Sequence, residues 1–432
     1  MTFRHAAGAW LVTVLAAAQP PAQPTQSWND AYRAGLALFE QRDYGRARAA
    51  LLDALVDLQD RPEVDWRLPA TLHVLGVCEQ ALGRYTEARQ HLEAALSRWP
   101  ATGENAGQRA TTLESLGNLL ADTGDWDSAE QRFRSAIALK ERAYGADSLE
   151  TASALSRVAE TFISRGQLLG AKPLLERALD IQRLSLPAAD ADLLATRIML
   201  AHTLRGLGHL DAARRYAADA EAVGRQSRLY PEILCILGDV YRLEGNSTRA
   251  VPLLRQAIAL AALRSSEQEL PAAVISLAYV DLTEGRLLSA TKGFQRGIIM
   301  IQRLWGAGGP EVASAQIGLA AAMLELRRVE EASALLDSAQ PFIESVFPDD
   351  HVFQATGLVL RAALAAARGD RDRTAEDVRL AWAAIEREAP GAAQAGLWAI
   401  CARSMRPYRP DLAKIAERRS RKRSREIAVE KF

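Results

Sequence analysis

From residue 28 onward, apolar residues recur at steps of three and four, the spacing of a helix that buries one stripe. The stripes break at regular intervals and then resume in the same register. Three stretches superpose without gaps: LGVCEQALGRYTEARQHLEAAL from Leu75, LGNLLADTGDWDSAEQRFRSAI from Leu116 and LGDVYRLEGNSTRAVPLLRQAI from Leu237. Each has Leu-Gly, a second Gly seven residues on, an Ala five residues after that, and large apolar residues four and eight beyond. The same frame recovers six further copies. Its mid-unit turn falls at Arg42, Gly83, Gly124, Gly166, Gly208, Gly245, Gly285, Arg327 and Gly369, spaced mostly 41 or 42 residues apart. Five residues later stand Ala47, Ala88, Ala129, Ala171, Ala213, Ala250, Ala290, Ala332 and, breaking the rule, Thr374. Seven residues before each turn stand Gly35, Gly76, Gly117, Ala159, Ala201, Gly238, Ala278, Ala320 and Ala362.

The pattern predicts pairs of antiparallel helices. The mid-unit Gly reverses the chain at low steric cost. The small residues mark where the two helices cross, since a large side chain there would force the axes apart. Leu92, Phe133, Leu175, Leu254, Phe294 and Leu336 fill the space against the next pair. One such pair cannot cover its own apolar face, so the pairs must stack. The expected fold is all-α, a right-handed superhelical solenoid of about nine antiparallel helix pairs over residues 28–386, with a capping helix and linker at 387–410 and a basic tail at 411–432.

At Leu116-Gly117, Leu120, Ala129 and Phe133 the chain resembles the tetratricopeptide-repeat proteins. Their standard repeat has about 34 residues. The longer spacing here resembles the subtype of kinesin light chains, whose extended second helix and linker compare with AIALKERAYGADSLETASAL from Ala136. The resemblance implies that the first helix of each pair lines the hollow side of the stack. It places Tyr32, Phe39, His73, Gln80, Glu114, Asn118, Asp122, Ser156, Glu160, His202, Arg205, Asp239, Arg242 and Tyr279 there as exposed groups for a peptide or partner helix. The plainer reading is that these side chains only keep the hollow wet. Some tetratricopeptide domains clamp a peptide's terminal carboxylate with Lys and Asn. Asn118 matches in type, but Glu114 stands where the Lys would be, which argues against that clamp.

The N-terminus reads differently. Arg4 and His5 precede an apolar run from Ala6 to Ala18 that ends in Ala16-Ala17-Ala18, followed by the Pro-rich stretch 19–27. This is the layout of a signal peptide over residues 1–18. It predicts export to a periplasmic or extracellular compartment. The alternative is a membrane tether through residues 6–18, although a spanning helix needs about 20 apolar residues. Cys78, Cys235 and Cys401 are too few for a disulfide framework, even in an oxidising compartment. Lys and Arg total 53, as do Asp and Glu, so the net charge is zero and no nucleic-acid partner is expected. The tail is the exception: Lys414, Arg418, Arg419, Arg421, Lys422, Arg423 and Arg425 face the single acid Glu417. It reads either as a solvated helix end or as a handle for an acidic partner or anionic lipid.

Chemistry is sparse. The chain has no phosphate-binding loop, no dinucleotide fingerprint, no H-E-x-x-H and no Cys-x-x-Cys. Ser289 and Lys292 have the spacing of a nucleophile motif but lack its companions. The histidines are scattered over different repeats, so neither a metal nor another cofactor is expected. These observations predict a non-catalytic protein- or peptide-binding scaffold or adaptor. The alternatives are a sensor arm for an effector on another chain and a membrane-tethered assembly factor.

Overall fold

The computed structural model describes residues 26–58, 66–100, 105–164, 166–263, 270–305, 310–346, 352–387 and 392–430. Among these residues there are helices and no strands, and the chain forms two compact units, 2–187 and 188–432. The expected export segment 1–18 and residues 19–25 of the Pro-rich linker lie outside the described residues. Among the described residues no helix is long and apolar enough to cross a membrane.

The first unit holds four helix pairs: α1 (Gln26–Glu40) with α2 (Tyr44–Val56), α3 (Arg67–Ala81) with α4 (Tyr85–Arg98), α5 (Ala106–Asp122) with α6 (Trp126–Tyr144), and α7 (Leu149–Ser164) with α8 (Leu168–Ser185). The second unit holds six: α9 (Ala191–Gly206) with α10 (Leu210–Val223), α11 (Tyr230–Leu243) with α12 (Ser247–Leu263), α13 (Leu270–Thr283) with α14 (Leu287–Trp305), α15 (Pro310–Glu325) with α16 (Val329–Val346), α17 (Val352–Ala367) with α18 (Arg371–Arg387), and α19 (Ala392–Met405) with α20 (Pro410–Glu430). The all-α architecture of paired helices expected from the repeat is the one observed.

The nine turn positions read from the sequence all have left-handed backbone, from φ 62° at Arg327 to 89° at Gly124. The N–H of the residue after each turn reaches back to the carbonyl five residues earlier, as in Arg84 to Glu79 at 2.8 Å and Asp125 to Leu120 at 2.9 Å. This closure satisfies carbonyls left over at the helix end and needs positive φ, which Gly adopts without a Cβ penalty. Asp43, Asp125, Asn246 and Asp370 then cap the following helix through their side chains. Two helices are thus joined by a link too short to splay.

The crossings are as tight as the small residues require. Ala47, Ala88, Ala129, Ala171, Ala213, Ala250, Ala290 and Ala332 are fully buried. A Cβ on Gly117 would stand 2.5 Å from the Phe133 ring, and one on Gly76 would stand 2.8 Å from Leu92 Cγ. Burying a side chain such as Phe133 or Leu92 contributes about 1.5–3 kcal/mol. Thr374, the one departure at the Ala position, is buried and turns its hydroxyl onto the Asp370 carbonyl, so it fits without an unmet polar group. Arg361, which stands where Leu75, Leu116 and Leu237 stand in other copies, pairs with the buried Asp377 at 3.2 Å.

The last pair breaks the stacking rule. Elsewhere within each unit, a first helix packs on the second helix before it; α19 touches α18 only lightly and lies on α17, reaching α15 and α11. Leu397, Trp398, Cys401, Ala402 and Met405 are buried there. The segment after Asp411 is seated over its first half, while Lys414, Arg418, Arg421 and Lys422 stay exposed. Ala413 and Ala416 are buried, and the Arg419 guanidinium lies 4.8 Å and 4.7 Å from the rings of Trp382 and Trp398. The small residues at 413 and 416 allow this approach, and aromatic faces attract the cation. The side chains of Arg423 and Arg425 lie outside the described residues.

Candidate functional site

Within each unit the first helices of successive pairs lie side by side, so residues one repeat apart can reach each other across that face. In the first unit this produces a series of polar pairs. Gln80 Nε2 donates to Asp122 Oδ2 at 2.8 Å. Arg157 Nε donates to Glu114 Oε2 at 2.8 Å, and Thr161 Oγ1 donates to Asn118 Oδ1 at 2.8 Å. Ser156 and Glu160 are half-buried on the same face and are also engaged. Tyr32 stacks on Trp28 at 4.9 Å, and Phe39 packs edge-on to Tyr44 at 5.5 Å. His73 is buried; burial first, and then the charge of Arg157, lowers its pKa to about 4, so the imidazole is neutral.

In the second unit, two of the five predicted residues, Arg205 and Arg242, converge on the carboxylate of a third, Asp239. Arg205 Nη1 donates to Asp239 Oδ2 at 2.5 Å, and Arg242 Nε and Ser276 Oγ donate to Oδ1 at 2.6 Å and 2.7 Å. The Arg242 guanidinium lies 4.9 Å over the ring of Tyr279, whose hydroxyl donates to the Ser314 carbonyl at 2.6 Å. Burial pushes the Asp239 pKa up, but Arg242 and Arg205 overcome it and hold the carboxyl well below the usual carboxylate range. His202, beside this group, is kept neutral by burial and then by the charge of Arg205. Two guanidiniums around one carboxylate leave one positive charge in excess. Each guanidinium has five N–H donors, of which Asp239 occupies only part.

The expectation that the fourteen groups stand exposed fails: Tyr32, Phe39, His73, Glu114 and Asp239 are buried, and the other nine are half-buried. The reason is the close approach of neighbouring first helices, which turns inward-pointing side chains onto the next repeat. The sequence reading missed Arg157, Thr161 and Ser276, the partners of Glu114, Asn118 and Asp239. Their signal was complementarity at repeat spacing: 43 residues separate both Glu114 from Arg157 and Asn118 from Thr161, and 37 separate Asp239 from Ser276. It also missed Glu79, buried at the first pair of repeats between Arg48 Nε at 3.0 Å and His91 Nδ1 at 2.6 Å.

Among the described residues no group of three or more His, Cys, Asp or Glu stands close enough to hold a metal ion. The three cysteines are free thiols, all buried. Ser289 turns its hydroxyl to Asp281 rather than to Lys292.

Tetratricopeptide-repeat family models match residues 67–142 and 108–184, and a second such model matches residues 198–265. No curated protein matches the chain in sequence. Among solved structures, the apo quorum sensor NprR from B. thuringiensis superposes with a TM-score of 0.53 at 17% identity, covering 68% of this chain and 80% of NprR. Aspartyl phosphate phosphatase F from Bacillus subtilis superposes with a TM-score of 0.52 at 14% identity, covering 85% and 96%. Apo RapI superposes with a TM-score of 0.51 at 14% identity, covering 64% and 98%. At these identities the likeness concerns the fold alone.

Proposed function

We propose that this chain, which matches tetratricopeptide-repeat models over residues 67–184 and 198–265, is a non-catalytic scaffold or adaptor that holds a protein or peptide on its first-helix faces. The observation that carries this reading is the network of Arg205, Asp239, Arg242 and Tyr279. It gathers one excess positive charge, spare guanidinium donors and an aromatic ring at one place that packing alone does not require. Such a place suits a carboxylate of the guest, held by charge-assisted hydrogen bonds. The paired groups Asn118–Thr161 and Glu114–Arg157 offer the first unit's face a neutral and a charged contact.

The test is capture of partners by the full chain with Asn118, Glu160 and Arg205 each changed to Ala. The reading expects at least one partner to be lost; an unaltered partner list counts against it. Hydrolase or transferase activity in the purified protein would overturn the non-catalytic part. Export, and hence a periplasmic or extracellular guest, rests on residues 1–18 alone. N-terminal sequencing of the mature protein decides it: a chain beginning near Gln19 supports export with cleavage, and an intact Met1 supports a tether.

A further inference from the structure

We propose that the last hairpin is the in-chain occupant of a helix-docking seat on the second unit, and that the partner this seat fits is an amphipathic helix built like α19. This rests on the scaffold reading above and adds the form of the guest: apolar and small residues along one face, with an arginine near the C-terminal end.

Three observations point there. First, α19 does not continue the stack. It lies across first helices, on α17 and α15 and as far as α11, which is the face that the repeat leaves for a guest. Second, the contact has the form of helix-in-groove recognition. Leu397, Trp398, Cys401, Ala402 and Met405 recur at steps of one, three and four, and all are buried in one apolar cluster with residues of α15, α17 and α20. Third, the polar contacts come from groups that the repeat itself does not call for. Arg403 donates from Nε and Nη2 to the two carboxylate oxygens of Glu325 at 3.1 Å each, and from Nη1 to the Thr283 carbonyl. Glu325 and Thr283 are the last residues of α15 and α13, so one guanidinium closes two helix C-termini, where a cation is favoured.

Arg327 supports the same conclusion from the other side. It occupies a turn with φ 62°, a conformation that Gly adopts at seven of the nine turns and that a side chain strains. Here the side chain is used. Its Nη2 donates to the Pro407 carbonyl at 3.1 Å, and its guanidinium lies 5.9 Å from the ring of Tyr408, whose hydroxyl donates to the Leu324 carbonyl at 2.8 Å. An arginine in place of glycine thus stands where the α19–α20 link meets the array.

A seat already filled lowers the apparent affinity of a guest by the fraction of time the seat is empty. The experiment therefore loosens the occupant in the full chain and offers the seat a labelled copy of it. The probe is a fluorescein-tagged peptide of residues 392–409, read by fluorescence anisotropy against the wild type, R403A and R327G. R327G installs the glycine found at seven of the other eight turns, so it removes a docking contact without threatening the fold; far-ultraviolet circular dichroism checks both variants. Because the probe keeps its own arginine and its own contact to Glu325, it should bind R403A about tenfold or more tightly than the wild type, the effect of losing a charged hydrogen-bonded pair. R327G should move the same way by a smaller factor. Probe binding to folded R403A and R327G that is no tighter than to the wild type overturns the proposal. E325Q adds a second check: its own hairpin is loosened, yet the probe should bind it more weakly than it binds R403A, and equal binding again overturns the proposal. The scaffold reading fails separately. A probe that follows this pattern while the partner list ignores Asn118, Glu160 and Arg205 supports the helix seat and sinks only the wider reading.

Discussion

Replacing Gly117 with Ala sets two known effects against each other, and the structure decides the sign. Helix propensity alone favours Ala over Gly by about 1 kcal/mol. Position 117, however, is the crossing of α5 and α6. The new methyl would stand 2.5 Å, 2.8 Å and 3.0 Å from three carbons of the Phe133 ring, inside the roughly 3.5–4.0 Å of carbon contact. Phe133 is itself buried, so the ring cannot swing into solvent. Overpacking of this kind costs about 1–3 kcal/mol, and a three-atom clash with a rigid ring belongs to the upper half of that range. The net expectation is a destabilisation of about 1–2 kcal/mol. F133L on its own should cost about 1 kcal/mol through lost contacts. In the double variant the smaller side chain makes room for the methyl, so the two costs should fall short of additivity by about 1 kcal/mol. Stacked repeats open locally, so the measurement is native-state hydrogen exchange of the α5 and α6 amides, with urea unfolding beside it. If G117A raises protection, or if the two changes simply add, the helices are not held apart by the width of one hydrogen and the packing argument for the whole repeat is wrong.

Two other changes test the charge network and the turns. D239N leaves Arg205 and Arg242 around a neutral group and should destabilise the second unit by about 3 kcal/mol at pH 7. The Asp239 pKa is depressed in the folded protein, so its stabilisation is complete well above the unfolded carboxyl value of about 3.9 and drains away as the pH falls below it. The gap between wild type and D239N in urea should therefore narrow by about 1 kcal/mol between pH 7 and pH 3; a gap that stays constant contradicts the assignment of the charge. At the turns, R42G should stabilise the first pair by about 0.5–1 kcal/mol by relieving left-handed strain, and G83A, at φ 75° with open space around it, should destabilise the second by about 1 kcal/mol. Exchange of the α1–α4 amides reads both, and shifts of the same sign would refute the backbone argument.

The repeat was legible because its constraints are local and recur. Turn, crossing and filler each demand one kind of residue, so nine left-handed turns and a column of buried Ala could be placed from letters alone. The candidate face was half legible. The frame found Asp239, Arg242, Arg205 and Tyr279, but periodicity does not say which charges will neutralise one another. Thus the frame alone leaves Glu114 exposed, whereas Arg157, 43 residues on, covers it. The last hairpin was least legible. Its α19 stripe resembles any cap, and composition does not single out Arg419, within the basic run after Lys414, as the cation with two indole faces to rest on. The clue lay in the exceptions. Arg327 replaces a glycine, and Arg403 is a lone cation near the end of an apolar helix; neither residue has a role inside a repeat.

The three thiols offer a further use. Cys78 lies on α3 in the first unit, Cys235 on α11 in the second, and Cys401 on the docked hairpin. Burial raises the pKa of each, Cys78 to about 12, Cys401 to about 11 and Cys235 likewise upward, so none is a nucleophile while its surroundings stay closed. An alkylating reagent can then mark each sulfur only when that piece of the chain breathes. Mass spectrometry of the three cysteine-bearing peptides over time would give three opening rates from one unmodified sample, a set of natural stopwatches placed in different parts of the molecule.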